Sequence, residues 1–190
     1  MRAAVVQLTG ARPNNSSKPT PLRCGPAVAK KACHRTFSTT QRGLTQALGA
    51  LMHIDQALNL LRAANQPVPL PLRLPTEDEI VHFERELRFH FPSDFRQFQL
   101  AASNVTYGTL EPVICIPGIG PPMNPIEVAN DGWTRGVPRD WLPFCQDNDC
   151  FFCISKDGVV AFWDNADGRF GRENWSLAQW IETIWLGRRA

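Results

Sequence analysis

Two short runs of aromatic and β-branched residues, separated by three residues, dominate the C-terminal half of this chain. They are residues 151–155 (FFCIS) and 159–163 (VVAFW), and the sequence between them is Lys-Asp-Gly. Asp-Gly between two such runs is a strong local signal for a β-hairpin. We therefore predict a hairpin whose two-residue turn is centred on Asp157 and Gly158.

The predicted turn also fixes which side chains lie opposite each other. Ile154 then faces Ala161, and Phe152 faces Trp163. Because side chains alternate along a strand, these four residues share one face, and the other face is apolar as well. A strand pair that is apolar on both sides belongs in the interior of a sheet that is covered above and below. The rest of the chain should supply the neighbouring strands and the covering helices.

Three stretches with helical periodicity precede the hairpin. The first begins at His53 and stops before the proline-rich residues 67–71, which should form an extended connector. The second begins after Thr76, a good N-cap, with Glu79 three residues later as in a capping box. The third restarts after Pro92 with Ser93 as the predicted N-cap.

The period then changes from helix to strand. Residues 113–116 predict a short strand, residues 126–134 one or two helical turns, and residues 165–169 a turn or loop. Ser176 is the predicted N-cap of a final helix with a nearly unbroken apolar stripe, which needs a sheet to lie on. This order predicts an α+β fold, with N-terminal helices and a C-terminal helix packed on a mixed or antiparallel twisted sheet.

Charge divides the chain into two parts. Eight of its 20 basic residues and none of its 18 acidic residues precede Met52, so the remainder carries 12 basic against 18 acidic residues. We predict a single acidic domain over residues 52–190. Clustered Lys and Arg are absent from it, so we expect no nucleic-acid partner. No run of eighteen apolar residues occurs, so we expect no membrane span.

Residues 1–51 have the composition of a segment without a packed core. They are basic and polar, and prolines interrupt residues 13–21. We expect this extension to be disordered or to be upstream sequence ahead of a true start at Met52. An organellar transit peptide and a nucleic-acid-binding tail are the other interpretations.

The cysteines favour buried thiols over a metal site. Six are present, and they follow no small-secreted-protein framework, which predicts reduced thiols in a cytoplasmic protein. Cys150 and Cys153 lie three apart on a predicted strand, so they point to opposite faces, whereas zinc ribbons place paired cysteines on turns. We therefore expect no metal and no cofactor.

Neither acidic nor histidine residues form a recognisable catalytic motif. Residues 164–168 (DNADG) lack the alternating ligands and the glutamate of a calcium loop. Turn chemistry accounts for most of the aspartates near the hairpin. His82 and His90 have no nucleophile motif beside them. We predict that the protein is not an enzyme and has no catalytic residues.

Three phrases and the final helix, in this order, resemble the SUKH superfamily, a domain named partly for the fungal Smi/Knr cell-wall regulators and common in bacteria. The phrases are residues 91–98 (FPSDFRQF), residues 141–154 (WLPFCQDNDCFFCI) and residues 158–164 (GVVAFWD). The resemblance covers residues 76–187. Residues 103–108 depart from the Asn-Gly-Gly that many relatives have at the end of the early helix. Asp149-Cys150-Phe151 replaces the Gly and Tyr that relatives often carry before the strand.

The resemblance implies an immunity protein that binds and neutralises a polymorphic toxin, and thus a non-catalytic binding module with a protein partner. The implied alternative is a regulatory scaffold of the Smi/Knr type. A small metal-dependent hydrolase is a third hypothesis. Acidic side chains near the hairpin loops suit a basic toxin groove, and tryptophans are enriched at interfaces. The predicted contact residues are Asp147, Asp149, Glu173, Trp133 and Trp175.

Overall fold

The computed structural model describes residues 53–188, and the predictions for residues 1–51 fall outside this part of the chain. Helices and strands follow one another in the order α1 (Ile54–Ala63), α2 (Glu77–Leu87), α3 (Ser93–Ala102), β1 (Glu111–Pro112), α4 (Pro125–Thr134), β2 (Trp141–Asp147), β3 (Cys150–Ser155), β4 (Val159–Asp164), β5 (Arg169–Ser176) and α5 (Leu177–Trp180). A π-helical turn, Ile181–Trp185, continues α5.

The five strands form one antiparallel sheet in the order β1-β2-β3-β4-β5, so each strand pairs with its neighbours in the chain. This confirms the α+β class and the antiparallel sheet. Two of these strands were not predicted. Pro143 interrupts the apolar run of β2, and β5 carries mostly exposed polar residues, so neither has the pattern of a buried strand.

The predicted hairpin exists, but its predicted register is wrong by one residue. Cys153 pairs with Ala161, and Ile154 pairs with Val160, because the loop has three residues instead of two. A two-residue type I′ turn needs left-handed backbone at both central residues, whereas only Gly158 (φ 81°) has it here. The Gly158 amide donates to the Ser155 carbonyl oxygen (3.0 Å), which closes the loop.

The observed register assigns each side chain of the hairpin to a face of the sheet. We call the side that bears Phe152, Ile154, Val160 and Phe162 the helical face. We call the side that bears Phe151, Cys153, Ala161 and Trp163 the patch face. Both are apolar, as predicted, but the four side chains of β4 lie on the opposite faces from those predicted.

Aromatic rings fill the space between the helical face and the helices. Trp180 of α5 is fully buried, and its ring centroid lies 4.9 Å from that of Phe144 and 5.4 Å from that of Phe152. Phe144 also meets Phe95 of α3 at 5.5 Å. The final helix therefore lies on the sheet as its apolar stripe predicted. Helices α1 and α3 pack against it, whereas α2 contacts α3 and α4.

The helix starts agree with the predicted caps at two positions and differ at a third. Thr76 forms the capping box with Glu79, and Ser176 forms another with Gln179. For α3, the N-cap is Pro92 and not Ser93, whose hydroxyl makes no cap hydrogen bond. Ser93 is instead the first residue of the helix.

The strand predicted at residues 113–116 is displaced to Glu111–Pro112. The Val113 amide still donates to the Phe144 carbonyl oxygen of β2 (2.8 Å), but Val113 and Cys115 then bond to a side chain. The fully buried Gln99 of α3 donates from Nε2 to the Val113 carbonyl oxygen (2.9 Å) and accepts from the Cys115 amide at Oε1 (3.0 Å). One amide side chain thus satisfies the Val113 carbonyl oxygen and the Cys115 amide.

Helix α4 packs on the patch face, close to β2. A Cβ atom built at Gly132 would lie 2.5 Å from Cγ of Pro143, so only glycine allows this approach. The helix then ends as its sequence favours, with Gly136 in left-handed backbone (φ 101°) just past the C-cap Arg135. Gly132 and Gly136 thereby place the end of α4 directly over the sheet.

Candidate functional site

The carboxyl end of α4 and the loop after it hold two side chains against each other. Arg139 lies over the indole of Trp133, with its Cζ 4.2 Å from the ring centroid. The Trp133 indole N–H donates to the backbone carbonyl oxygen of Trp141 (2.8 Å), which fixes the ring beside the first residue of β2. Trp133 is half-buried and Arg139 is exposed, so this pair faces solvent.

A second aromatic contact continues this surface across the patch face. The ring centroids of Trp141 on β2 and Phe170 on β5 lie 4.5 Å apart, although β3 and β4 separate their strands. The intervening strands carry the short side chains of Cys153 and Ala161 on this face, which leaves room for the two rings to meet. Both rings are half-buried and have solvent-facing area.

Together, Trp133, Arg139, Trp141 and Phe170 form a continuous surface that we call the aromatic patch. Below it, Trp163 meets Phe170 at 5.0 Å and is almost completely buried. Tryptophan and arginine on a firmly packed base are the side chains that dominate binding energy at protein interfaces. The patch therefore has the composition and the rigidity of a protein-binding surface.

An ion-pair bridge borders the patch and joins α4 to the β2–β3 turn. Arg135 donates from Nε to Asp131 Oδ1 (2.9 Å), and its Nη1 lies 3.5 Å from Asp149 Oδ1. The guanidinium also covers the ring of Phe151, at 5.9 Å from the centroid. The hydrogen bond with Asp131, together with the fields of Asp131 and Asp149, outweighs burial and raises the pKa of Arg135 above its ordinary value.

The predicted contact residues do not form one surface. Trp133 belongs to the aromatic patch, and Asp149 lies at its border, paired with Arg135. Asp147 pairs with Cys150 across the β2–β3 turn, so by alternation it lies on the helical face, and its carboxylate accepts from the Asn148 side chain (3.1 Å). Only two of the predicted residues are therefore close to one another on the patch side.

The remaining two predicted residues lie on β5, at the far edge of the sheet. Trp175 is not in a loop, as its context suggested, but opposite Val160 on the helical face, where its ring meets Phe152 at 6.4 Å. Glu173 is exposed within an irregular part of β5, because the register shifts between the Ala161–Asn174 and Trp163–Phe170 pairs. This bulge leaves an irregular edge, which disfavours pairing with another strand.

The described cysteines, Cys115, Cys145, Cys150 and Cys153, are all buried. Burial raises the pKa of both the Cys115 and the Cys153 thiol, so these groups stay protonated and weakly nucleophilic. Cys150 and Cys153 lie on opposite faces of β3, as their spacing predicted. Between residues 53 and 188, no group of three or more His, Cys, Asp and Glu side chains is placed to hold a metal ion.

Several acids on the helices are engaged in ion pairs. Arg73 donates to both carboxylate oxygens of Glu79, at 2.8 and 2.5 Å. This interaction, together with the hydrogen bond from the Thr76 amide, lowers the pKa of Glu79 to about 2. Burial alone would lower the pKa of Arg96, but its hydrogen bonds to Glu77 and Glu84 raise it overall. These pairs stabilise the helix layer and leave the aromatic patch unaffected.

Three patch residues were not predicted from the sequence. Trp141 and Phe170 lie on strands whose patterns do not identify them, and Arg139 gains its role only by stacking on Trp133. A usable signal was present, however. Had β2 been recognised, alternation would have separated Trp141 from the buried Leu142 and placed it on the opposite face.

Comparisons with known proteins agree with this fold. The family model described as SUKH_5, SMI1-KNR4 cell-wall, matches residues 54–186. A solved structure, the crystal structure of a protein from Pseudomonas syringae pv. tomato, is 37% identical with a TM-score of 0.65, and the match covers 70% of this chain and 98% of that one. No curated protein matches the chain. Within residues 53–188, no helix has both the length and the apolarity needed to cross a bilayer.

Proposed function

This chain belongs to the SUKH family, in the branch described as SMI1-KNR4 cell-wall, and we propose that it is a non-catalytic protein-binding module, an immunity protein that binds and neutralises a toxin domain. The observation that carries the proposal is the extent of the family match. It runs from the first residue of α1 to the residue after the π-helical turn, so it takes in every described element of the fold.

The chemistry of the described residues supports binding over catalysis. The thiols of Cys115 and Cys153 are held protonated by burial, so they are poor nucleophiles. Asp149 is exposed and paired with Arg135, an arrangement that suits a surface contact better than proton transfer. Neutralising a toxin by covering its active site needs a preformed surface and no reaction.

The aromatic patch is the surface that we assign to the toxin domain. Its rings rest on the buried patch face, so little side-chain freedom remains to be lost on binding. The excess of acidic over basic residues after Met52 favours a basic partner and accelerates encounter through long-range attraction. We expect a cytoplasmic location, because the six cysteines follow no framework of a small secreted protein.

The proposal is tested by capture followed by a functional assay. The tagged full-length chain is recovered from cells that naturally produce it, and co-purifying proteins are identified by mass spectrometry. Any captured toxin-like C-terminal domain is then expressed in a susceptible host, with and without the chain. We expect the domain alone to arrest growth and the chain to restore it.

Two outcomes would contradict the immunity role. One is a captured toxin domain whose effect on growth is the same with and without the chain. The other is the recovery of signalling or cell-wall proteins with no toxin domain among them. The second outcome would favour the regulatory scaffold, in agreement with the cell-wall description of the family.

A further inference from the structure

One short segment carries all the exposed large hydrophobic side chains of residues 53–188. It is residues 67–72 (PVPLPL), between α1 and α2, in which Val68, Leu70 and Leu72 are 37%, 88% and 38% exposed. Single exposed apolar residues are common, but three in one segment and none elsewhere in the described part indicate a contact surface. We call residues 67–72 the proline segment.

The loop after α3 holds the proline segment at both ends. The Gln66 amide donates to the Thr106 carbonyl oxygen (2.8 Å), and the Asn104 side-chain amide donates to the Leu72 carbonyl oxygen (2.8 Å). The Thr106 amide in turn donates to Asn65 Oδ1 (2.9 Å). The segment is therefore attached to the domain on either side of its exposed part.

Between these anchors, the sequence restricts the backbone. Pro67, Pro69 and Pro71 have fixed φ, and each residue that precedes a proline is biased toward extended backbone. The expected extended connector is not straight, however, because the chain bends at Pro69 and Leu70. Leu70 consequently projects from the apex of a stiff loop, and docking this loop costs little conformational entropy.

Hydrogen-bonding capacity limits what can cover this loop. Three of its six residues are prolines, which have a carbonyl oxygen but no amide hydrogen, so the loop is rich in acceptors and poor in donors. It cannot pair regularly as a strand. The charges that follow the loop largely balance, because Arg73 pairs with Glu79 and Arg96 pairs with Glu77 at the start of α2. A matching surface needs hydrogen-bond donors around an apolar centre.

We propose that the proline segment is a second docking element, which inserts Leu70 into an apolar pocket of a protein partner whose rim carries hydrogen-bond donors. The Leu70 side chain supplies the apolar contact, and the carbonyl oxygens around it accept hydrogen bonds from the rim. This inference shares with the proposed function only the premise that the partner is a protein. It does not require the partner to be a toxin.

Photo-crosslinking from the apex of the loop tests the proposal. The full-length chain is produced with the substitution Leu70→p-benzoylphenylalanine, and with the same change at the exposed Lys156 as the control. Both are irradiated as purified chains and in cells that naturally produce the protein. We expect an adduct with another protein from position 70 in cells, mapped to an apolar pocket rimmed by hydrogen-bond donors. Adducts only between copies of the chain, or none above the Lys156 control, would overturn the proposal.

Affinity measurements then show whether the apolar contact of Leu70 itself contributes to binding, or whether any substitution in the loop weakens it. For the crosslinked partner, we expect Leu70→Ser to weaken binding about tenfold or more, and Leu70→Met to leave it within about threefold, since methionine retains the apolar volume. Equal affinities for the wild-type chain and Leu70→Ser would overturn the proposal. If the chain still neutralises a toxin in that case, only the docking role of Leu70 is wrong. If Leu70 docks into a partner that is no toxin and the chain neutralises no toxin domain, only the immunity role is wrong.

Discussion

The two faces of the sheet are both apolar, but they differ in what covers them. On the helical face, Trp180 and the rings around it are closed off from solvent by helices. On the patch face, α4 and the residues just after it lie over Pro143, Phe151 and Trp163, while Trp141 and Phe170 remain partly exposed. The difference fits two tasks: the helical face stabilises the fold, and the patch face is the one to which the proposed function assigns recognition.

The largest expected effect tests the structural role of the helical face. Trp180→Ala removes a fully buried indole that contacts Phe144 and Phe152, and should lower the free energy of unfolding by about 3–5 kcal/mol. Trp141→Ala on the patch face should cost less than half as much, because its ring is partly exposed. Urea unfolding followed by circular dichroism measures both. Equal losses in the free energy of unfolding would contradict a larger structural role for the helical face.

The next prediction concerns the buried polar contact within the helix layer. Gln99→Met keeps the side-chain volume but leaves the Val113 carbonyl and the Cys115 amide without their partner. We expect a loss of about 2–4 kcal/mol in the free energy of unfolding, since each unsatisfied buried group costs about 1–3 kcal/mol. A denaturation midpoint unchanged from the wild type would show that water or a rearranged loop replaces Gln99.

On the patch face, we expect a smaller loss of stability from a substitution where α4 approaches β2 closely. Gly132→Ala places a methyl group against the stiff ring of Pro143 and should lower the free energy of unfolding by about 1–3 kcal/mol. Because alanine by itself stabilises a helix relative to glycine, a loss of stability in Gly132→Ala can be attributed to the contact with Pro143. Gly120→Ala is the control, since no atom lies within 4 Å of its added Cβ. A stabilised Gly132→Ala protein would contradict this packing.

The smallest effect depends on pH. Because the pKa of Glu79 is lowered to about 2 in the folded protein, its ion pair stabilises the fold above pH 4.5, and this contribution decreases as the pH falls toward 2. Glu79→Gln should cost below about 1 kcal/mol at pH 7, and this difference should fall by about half or more at pH 3. Urea midpoints of both proteins at the two pH values measure it. A difference independent of pH would exclude the ion pair as its cause.

Much of the fold could be predicted from the sequence because local signals agree with the tertiary structure. The capping box at Thr76 and Glu79, the Asp-Gly signal and the apolar stripe after Ser176 each act over a few residues. The hairpin register could not be predicted, since Asp-Gly fits both a two-residue and a three-residue loop. Strand β5 could not be predicted because an edge strand with a bulge lacks a buried pattern.

The candidate site was less predictable, because its residues become neighbours only through the sheet. Trp141 and Phe170 are 29 positions apart in the sequence and meet across two intervening strands. Their contact depends on the short side chains of Cys153 and Ala161 beneath them, which is a property of the register. Trp133 was predicted as a contact residue, but the stacking of Arg139 on its ring required the structure.

The most direct test of which face binds the partner compares two half-buried tryptophans on opposite faces of the sheet. Dissociation constants of the captured toxin domain are measured by isothermal titration for the wild-type chain, Trp141→Ser and Trp175→Ser, after checking that both variants fold. If the partner binds the aromatic patch, Trp141→Ser weakens binding about thirtyfold or more, and Trp175→Ser changes it by less than about threefold. Loss of binding in Trp175→Ser with unchanged affinity in Trp141→Ser would contradict the assignment of recognition to the patch face.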